Sequence, residues 1–176
     1  MVILTSIVMG SVILHTRCKK DGHKLKTATA VITPIQSGSA VSGVLNFSEL
    51  ANGKIMLDLT VTVPARADQS VAVHIHEHGD CGDGGNGAHG HWNPTGKPHG
   101  QWGSSAFHAG DIGNIPLDAN GRGRLMIESN LWSIGGDSVT NILHRGIIVH
   151  GGVDDYTTQP SGNSGPRIGC AMIMEK

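Results

Sequence analysis

Histidine is over-represented in this chain and unevenly placed. Of 176 residues, 11 are histidine, and seven of these (His74, His76, His78, His89, His91, His99 and His108) fall within one stretch of 35 residues. Imidazole is the commonest metal-ligating side chain, so metal binding is the chemistry to look for. His74 and His76 stand two apart in an apolar segment. Alternate residues of a strand share a face, with roots about 6.6 Å apart at about 3.3 Å per residue, so both imidazoles can reach one ion. His150 closes the run Ile147-Ile148-Val149, where a solvated side chain is out of place, and offers a third ligand from a neighbouring strand. His91, His99, His108 and Asp111 supply three imidazoles and one carboxylate, a sound tetrahedral zinc set. Seven candidate ligands suit two ions better than one.

Such ligands need a rigid frame. From about residue 26 the chain reads as short β-segments punctuated by glycine turns, with 26 glycines in 176 residues against an average of about 7%. Strands are expected at residues 27–33, 40–47, 54–63, 70–76, 112–117, 122–128, 146–150 and 168–174. Asn52-Gly53 and Asn120-Gly121 each sit between two of them, and Asn-Gly is the strongest short hairpin signal. No window carries a sustained helical period. The reading is all-β, a sandwich or barrel of eight strands. Aromatics are only 3%, so the core is expected to be built from Val, Ile, Leu, Met and Ala. Two connections, 77–110 and 151–166, are too long for ordinary hairpins. Loops of that length in a compact domain are functional or disordered, and the first holds five histidines.

Composition closes off other classes. Basic and acidic residues number 13 and 14, which argues against nucleic-acid binding. The three cysteines, Cys18, Cys81 and Cys170, form no CxxC pair. That excludes thiolate zinc fingers and thioredoxin-type motifs, and the odd count permits one disulfide and a spare thiol. Residues 1–25 read as a separate segment ahead of a 26–176 domain. The 13-residue apolar run Val2 to Leu14 is shorter than the roughly 18 to 20 residues of a membrane span and matches a signal-peptide core. No basic residue precedes it, Arg17, Lys19 and Lys20 follow it, and Ala28-Thr29-Ala30 is a cleavage-like pattern lying far downstream. Export, periplasmic or extracellular, is the expectation; a disordered tail on a cytoplasmic protein is the alternative.

The spacing of these groups resembles the copper/zinc superoxide dismutase family. The resemblance rests on His74-Ile75-His76-Glu77-His78-Gly79-Asp80, His91-Trp92-Asn93-Pro94, His108-Ala109-Gly110-Asp111, Gly146-Ile147-Ile148-Val149-His150, Gly162-Asn163 and Arg167-Ile168-Gly169-Cys170. It covers about residues 26–173 and implies an eight-stranded Greek-key β-barrel with two long functional loops.

Carried over position by position, the resemblance implies copper on His74, His76, His91 and His150. It implies zinc on His91, His99, His108 and Asp111, with His91 bridging the two ions. Arg167 is then the residue that guides the anionic substrate, and Asp154 the carboxylate that orients one copper and one zinc histidine. Cys81 and Cys170 align with the family's intrasubunit disulfide, leaving Cys18 spare. The implied reaction turns two superoxide anions and two protons into oxygen and hydrogen peroxide, with copper as the redox metal and zinc structural and electrostatic. His91 leaves copper, takes a proton and returns it.

His78 and His89 match no family ligand and are expected at the surface; His15 and His23 lie outside the domain. The loop 151–166 holds Asp154 and Asp155 but no lysine, so the steering residues of eukaryotic members are missing there. His78 and His144 stand at positions that eukaryotic members use for a dry dimer contact, which favours a monomer, or a homodimer through another face, with no other stable partner evident. The rival readings are a non-catalytic metal-binding module and a zinc hydrolase. Loss of a copper ligand or of the arginine would favour the first, and an open zinc position the second; the sequence has neither.

Overall fold

Alternation of apolar and polar residues sets the strands and, with them, an inside and an outside. In β3 (Ile55–Thr62), Ile55, Leu57, Leu59 and Val61 are buried while the residues between them are not. β1 (Thr27–Pro34) does the same with Ala28, Ala30 and Ile32. The other strands are β2 (Ser42–Glu49), β4 (Ser70–His76), β5 (Gly113–Pro116), β6 (Arg122–Ser129), β7 (Gly146–His150), β8 (Arg167–Met172) and a two-residue β9 (Met174–Glu175). The structure, a computed structural model, describes residues 24–176. The apolar run 2–14, His15, His23 and Cys18 lie outside the described residues.

The strands pair antiparallel in the order β5-β4-β7-β8-β1-β2-β3-β6, with β9 also on β1. β7 lies beside β4 and β6 beside β3, partners three apart in sequence, which is the Greek-key pattern. The two end strands, β5 and β6, are consecutive in the chain and joined by a tight turn. The sheet therefore curls into a nearly closed, eight-stranded barrel. In that turn the Asp118 carboxylate accepts from the backbone N–H of Asn120 (2.8 Å) and Arg122 (2.9 Å). Gly121 sits at φ +71°, where any Cβ would run into the Val63 carbonyl.

Three expectations need correction. The final segment 168–174 is two strands, broken at Ile173, whose side chain turns into the core. Met126, Met172 and Met174 are exposed, and the core takes Phe47, Trp92 and Trp132 instead. Few as they are, the large rings fill the volume between the barrel walls; Phe47 and Trp132 meet edge to face at 5.9 Å. Ala28-Thr29-Ala30 lies inside β1, paired with Phe47, Asn46 and Leu45. Its small residues at alternate positions are the inward face of a strand, and a cut there would split a barrel wall.

β4 departs from alternation in the way that matters for function. All of Val71 to His76 are buried. Val71, Val73 and Ile75 enter the main core. Ala72, His74 and His76 face the opposite way, outside the barrel, and are buried because the long loops cover that face. β7 behaves alike: Ile147 and Val149 enter the core, whereas Ile148 packs outside with Ala88 and Cys170, flanked by Ile35 and Cys81.

Candidate metal centre

The site is built on that outer face. β4 and β7 pair directly, with His74 opposite Ile148 and His76 opposite Gly146. A register shift at Val149/His150 pairs His150 with Arg167 of β8. Loop 77–110 then continues the sheet where β5 stops. β5 pairs with Ser70 to Val73. Beyond it, the Ile75 N–H donates to the Gly110 carbonyl (2.8 Å), and the Ile75 carbonyl accepts from the Trp92 N–H (2.9 Å). His91 thereby lies against His76 as an isolated bridge. Gly110 is required, since a Cβ there would collide with the Ile75 carbonyl.

The seven predicted ligands converge as two buried groups, His74–His76–His91–His150 and His91–His99–His108–Asp111, each with its donor atoms within 4.8 Å of one another. His91 belongs to both. Its ring centroid is 4.0 Å from that of His74 and 5.0 Å from that of His76, and 5.3 Å and 5.8 Å from those of His99 and His108.

Four of the rings offer one nitrogen to their group and anchor the other. His74 Nε2 and His99 Nε2 each donate to Asp154, to its two oxygens at 2.9 Å. His76 Nδ1 donates to the His89 carbonyl (2.9 Å) and His150 Nδ1 to the Gly165 carbonyl (3.3 Å). What remains is His74 Nδ1, His76 Nε2, His91 Nε2, His150 Nε2, His99 Nδ1 and His108 Nδ1, all buried and without a hydrogen-bond partner. Buried polar atoms are nearly always paired, and six orphaned nitrogens facing two common points are what metal ions satisfy. In the second group, His99 Nδ1 and His108 Nδ1 stand 3.0 and 3.2 Å from Asp111 oxygens. A tetrahedral zinc site with bonds of about 2.0–2.1 Å has ligand–ligand edges of about 3.3 Å. The donor set and spacing fit zinc there, and the four imidazoles fit copper, which takes nitrogen ligands readily.

Electrostatics prepare the same ligands. Burial pushes the His74 and His76 imidazoles well below their ordinary pKa, and other imidazoles, His91 foremost, push the same way. Burial lowers His91 too, and brings His150 to about 4. Neutral imidazole is the ligating form. For Asp111, burial works against ionisation, but hydrogen bonds from His108 and His91 outweigh it and hold the carboxyl well below its usual range.

Arg167 opens β8 at the rim of an open pocket of about 570 Å³ that it shares with His76, His91 and His150. Its guanidinium donates to the carbonyls of Gly85 and His89. Cys170, three residues on, is bonded to Cys81, so one covalent link fixes the start of the long loop beside Arg167. His78 and His89 are exposed, as expected.

Three further residues support the site, two of them without any local signal in the sequence. Asn114 brackets Asp154 through the main chain, its amide donating to the Asp154 carbonyl and accepting from the Asp154 N–H, both at 2.8 Å. Gln159 does the same for His99, at 2.8 and 3.0 Å. Gly162 was noted only as part of a motif; a Cβ there would drive into the Asp154 carboxylate and the His99 ring.

A family model described as copper/zinc superoxide dismutase (SODC) matches residues 41–173. The chain belongs to the copper/zinc superoxide dismutase family. It is 32% identical to a Cu-Zn superoxide dismutase of Paramecium bursaria Chlorella virus 1, over 97% of this chain and 91% of that protein. It is 27% identical to the extracellular Cu-Zn superoxide dismutase of Haemonchus contortus, over 98% and 95%. A solved structure described as the clock protein EA4 superposes with a TM-score of 0.72 at 28% identity, covering 84% of this chain and 93% of that one. The protein is thus an oxidoreductase that converts superoxide to oxygen and hydrogen peroxide, with copper and zinc as its cofactors.

Proposed function

We propose that His74, His76, His91 and His150 hold the catalytic copper, that His91, His99, His108 and Asp111 hold the zinc, and that His91 bridges them. The observation that carries this is the sorting of the orphaned nitrogens. His91 Nε2 faces the first group unpartnered, while His91 Nδ1 lies 2.8 Å from Asp111 in the second. When bound, copper supplies one-electron redox chemistry between Cu(II) and Cu(I), and zinc, which has no redox chemistry, supplies structure and fixed charge.

The chain's own residues do the rest. The Arg167 guanidinium draws the superoxide anion into the pocket. Burial lowers its pKa from the ordinary arginine value, a range that leaves it charged at neutral pH. Two protons are consumed for each pair of superoxide anions. His91 Nε2, the unpartnered nitrogen toward the first group, would hold one of these protons and pass it to the product. Asp154 keeps His74 and His99 in their tautomers, with the ring hydrogens on Nε2 and the free nitrogens turned inward. Elemental analysis of Asp111→Ala tests the division of ligands: zinc occupancy falls far more than copper. Unchanged zinc in that variant removes Asp111 from the site.

Two coarser features complete the reading. Export is supported by the Cys81–Cys170 disulfide, since such bonds persist in oxidising compartments, and by the extracellular name of the Haemonchus contortus relative. Cell fractionation tests it, with cytoplasmic recovery of the disulfide-free form as the contrary result. A monomer, or a dimer through another face, is supported by His78 and His144, both exposed, because imidazoles resist burial in a dry contact unless hydrogen-bonded. Sedimentation at pH 5.5 and 8 is the check; loss of a dimer in His78→Ala or His144→Ala is the contrary result.

A further inference from the structure

Outside the two buried groups, one more set of ligand-type side chains converges among the described residues. Glu77, His78 and His89 place their donor atoms within 4.8 Å of one another on the protein surface. The imidazoles of His78 and His89 lie 4.8 Å apart at 86°, edge to face. His89 Nδ1 is 3.9 Å from Glu77 Oε2, beyond a hydrogen bond. The frame beneath them is fixed. The Glu77 N–H donates to the Gly90 carbonyl (3.1 Å) and the His78 N–H to the Ala88 carbonyl (3.2 Å), so two short segments run antiparallel and present all three side chains together.

His89 occupies its place at a cost. Its φ is +60°, a left-handed conformation that favours glycine. Its carbonyl accepts from both His76 Nδ1 (2.9 Å) and Arg167 Nη2 (2.6 Å), a main-chain task that needs no side chain. Glycine would perform that task with less strain, so the imidazole is extra to it.

We propose that Glu77, His78 and His89 form a third metal site, exchangeable with solvent, for a borderline divalent cation, Cu²⁺ or Zn²⁺, at the mouth of the catalytic pocket. Two imidazoles and a carboxylate suit these ions. With only three protein donors and open exposure, the remaining positions belong to water, so the ion enters and leaves freely. Glu77 and His89 line the same pocket as His76, His91 and Arg167, so an ion held there stands on the approach to the buried groups.

The test uses the full chain loaded with one copper and one zinc, as verified by elemental analysis. Failure of the buried sites shows at that stage, as fewer than two ions, and is not confused with failure of the third. Calorimetric titration with Zn²⁺ alone at pH 7.5 is expected to show one further equivalent. His78→Gln is expected to weaken that step by more than about tenfold while leaving copper and zinc contents unchanged, and His89→Gly, which keeps the main-chain carbonyl, is expected to weaken it by as much. Absence of a third equivalent overturns the proposal, and so does a third equivalent that survives both substitutions undiminished.

Discussion

The two halves of the metal centre are mounted differently. His74, His76 and His150 stand on β4 and β7, adjacent strands of the barrel wall. Their ring nitrogens are steered by main-chain carbonyls and by Asp154, and the group opens on the Arg167 pocket. His91, His99, His108 and Asp111 all come from the region between β4 and β5, closed around one carboxylate. A strand holds its side chains through the ladder that makes the barrel, so the first group is as rigid as the core. A loop has no ladder, and the second group relies on ties: the Ile75 bridge, Gln159 on His99, and the Cys81–Cys170 bond. On the proposed assignment, the reactive half of the centre is placed on the stiffest part of the molecule and left open, and the charge-fixing half on a tethered loop and closed.

Cutting the tether tests this contrast most severely. The bond closes a separation of 89 residues, and in the chain-entropy model a loop of that size contributes about 4 to 5 kcal/mol. Cys81→Ser with Cys170→Ser is expected to lose stability of that order in denaturant titration. During graded chelation it should release zinc before copper. Copper leaving first would show that the loop-mounted group does not depend on the bond.

Acid separates the two halves when the protein has been stripped by chelator. Burial pushes His150 down from the ordinary imidazole value of about 6.5 to about 4 in the fold, so the unfolded chain takes up its proton first. Stability is then fully present above about 6.5 and falls as pH drops toward 4, by about 3 kcal/mol from this residue alone. His74, His76 and His91 add in the same direction. Asp111 behaves otherwise. Its folded value is depressed below 3.8, so its contribution is kept through that window and lost only below it. Urea midpoints from pH 7.5 down to 3 should fall continuously once pH drops below about 6.5; a flat profile between 6.5 and 4 contradicts the burial of neutral imidazoles.

Besides the shared His91, Asp154 joins the halves from outside the ligand groups, with one oxygen on His74 and the other on His99. Asp154→Asn can accept from only one of the two rings. Loss of such an outer partner typically weakens metal affinity by about 10- to 100-fold, and here both metals are expected to suffer. Competition with a chelator measures both, and an effect confined to one metal would mean the halves are oriented independently. The smallest effect should come from Arg167→Ile, which keeps both metals and lowers turnover at low salt by about tenfold. It should also flatten the ionic-strength dependence. Loss of copper in that variant would reassign Arg167 to the frame.

Much of this was legible in the sequence because its signals are local. Short apolar and β-branched runs punctuated by glycine placed the strands, and Asn-Gly marked both turns. Every proposed ligand but His99 lies in a short motif, and His99 was found by its place between His91 and His108. Asn114 and Gln159 were illegible because each acts on a residue 40 and 60 positions away respectively, and nothing local distinguishes them from any loop amide. Ala28-Thr29-Ala30 misled because a small-x-small pattern serves a protease site and an inward strand face equally well.

By itself the sequence determined the strand count to within a break at Ile173, the donor atoms available and the two long loops, the first of which carries His91, His99 and His108. It could not determine which side of the barrel wall His74 and His76 occupy, or which nitrogen of each ring is left free. Alternation separates two faces without saying which is inside, and a ring's free nitrogen is whichever one its neighbours do not claim. Both were decided when the loops folded over β4, burying its outer face and bringing Asp154, Gly165 and the His89 carbonyl to claim one nitrogen each.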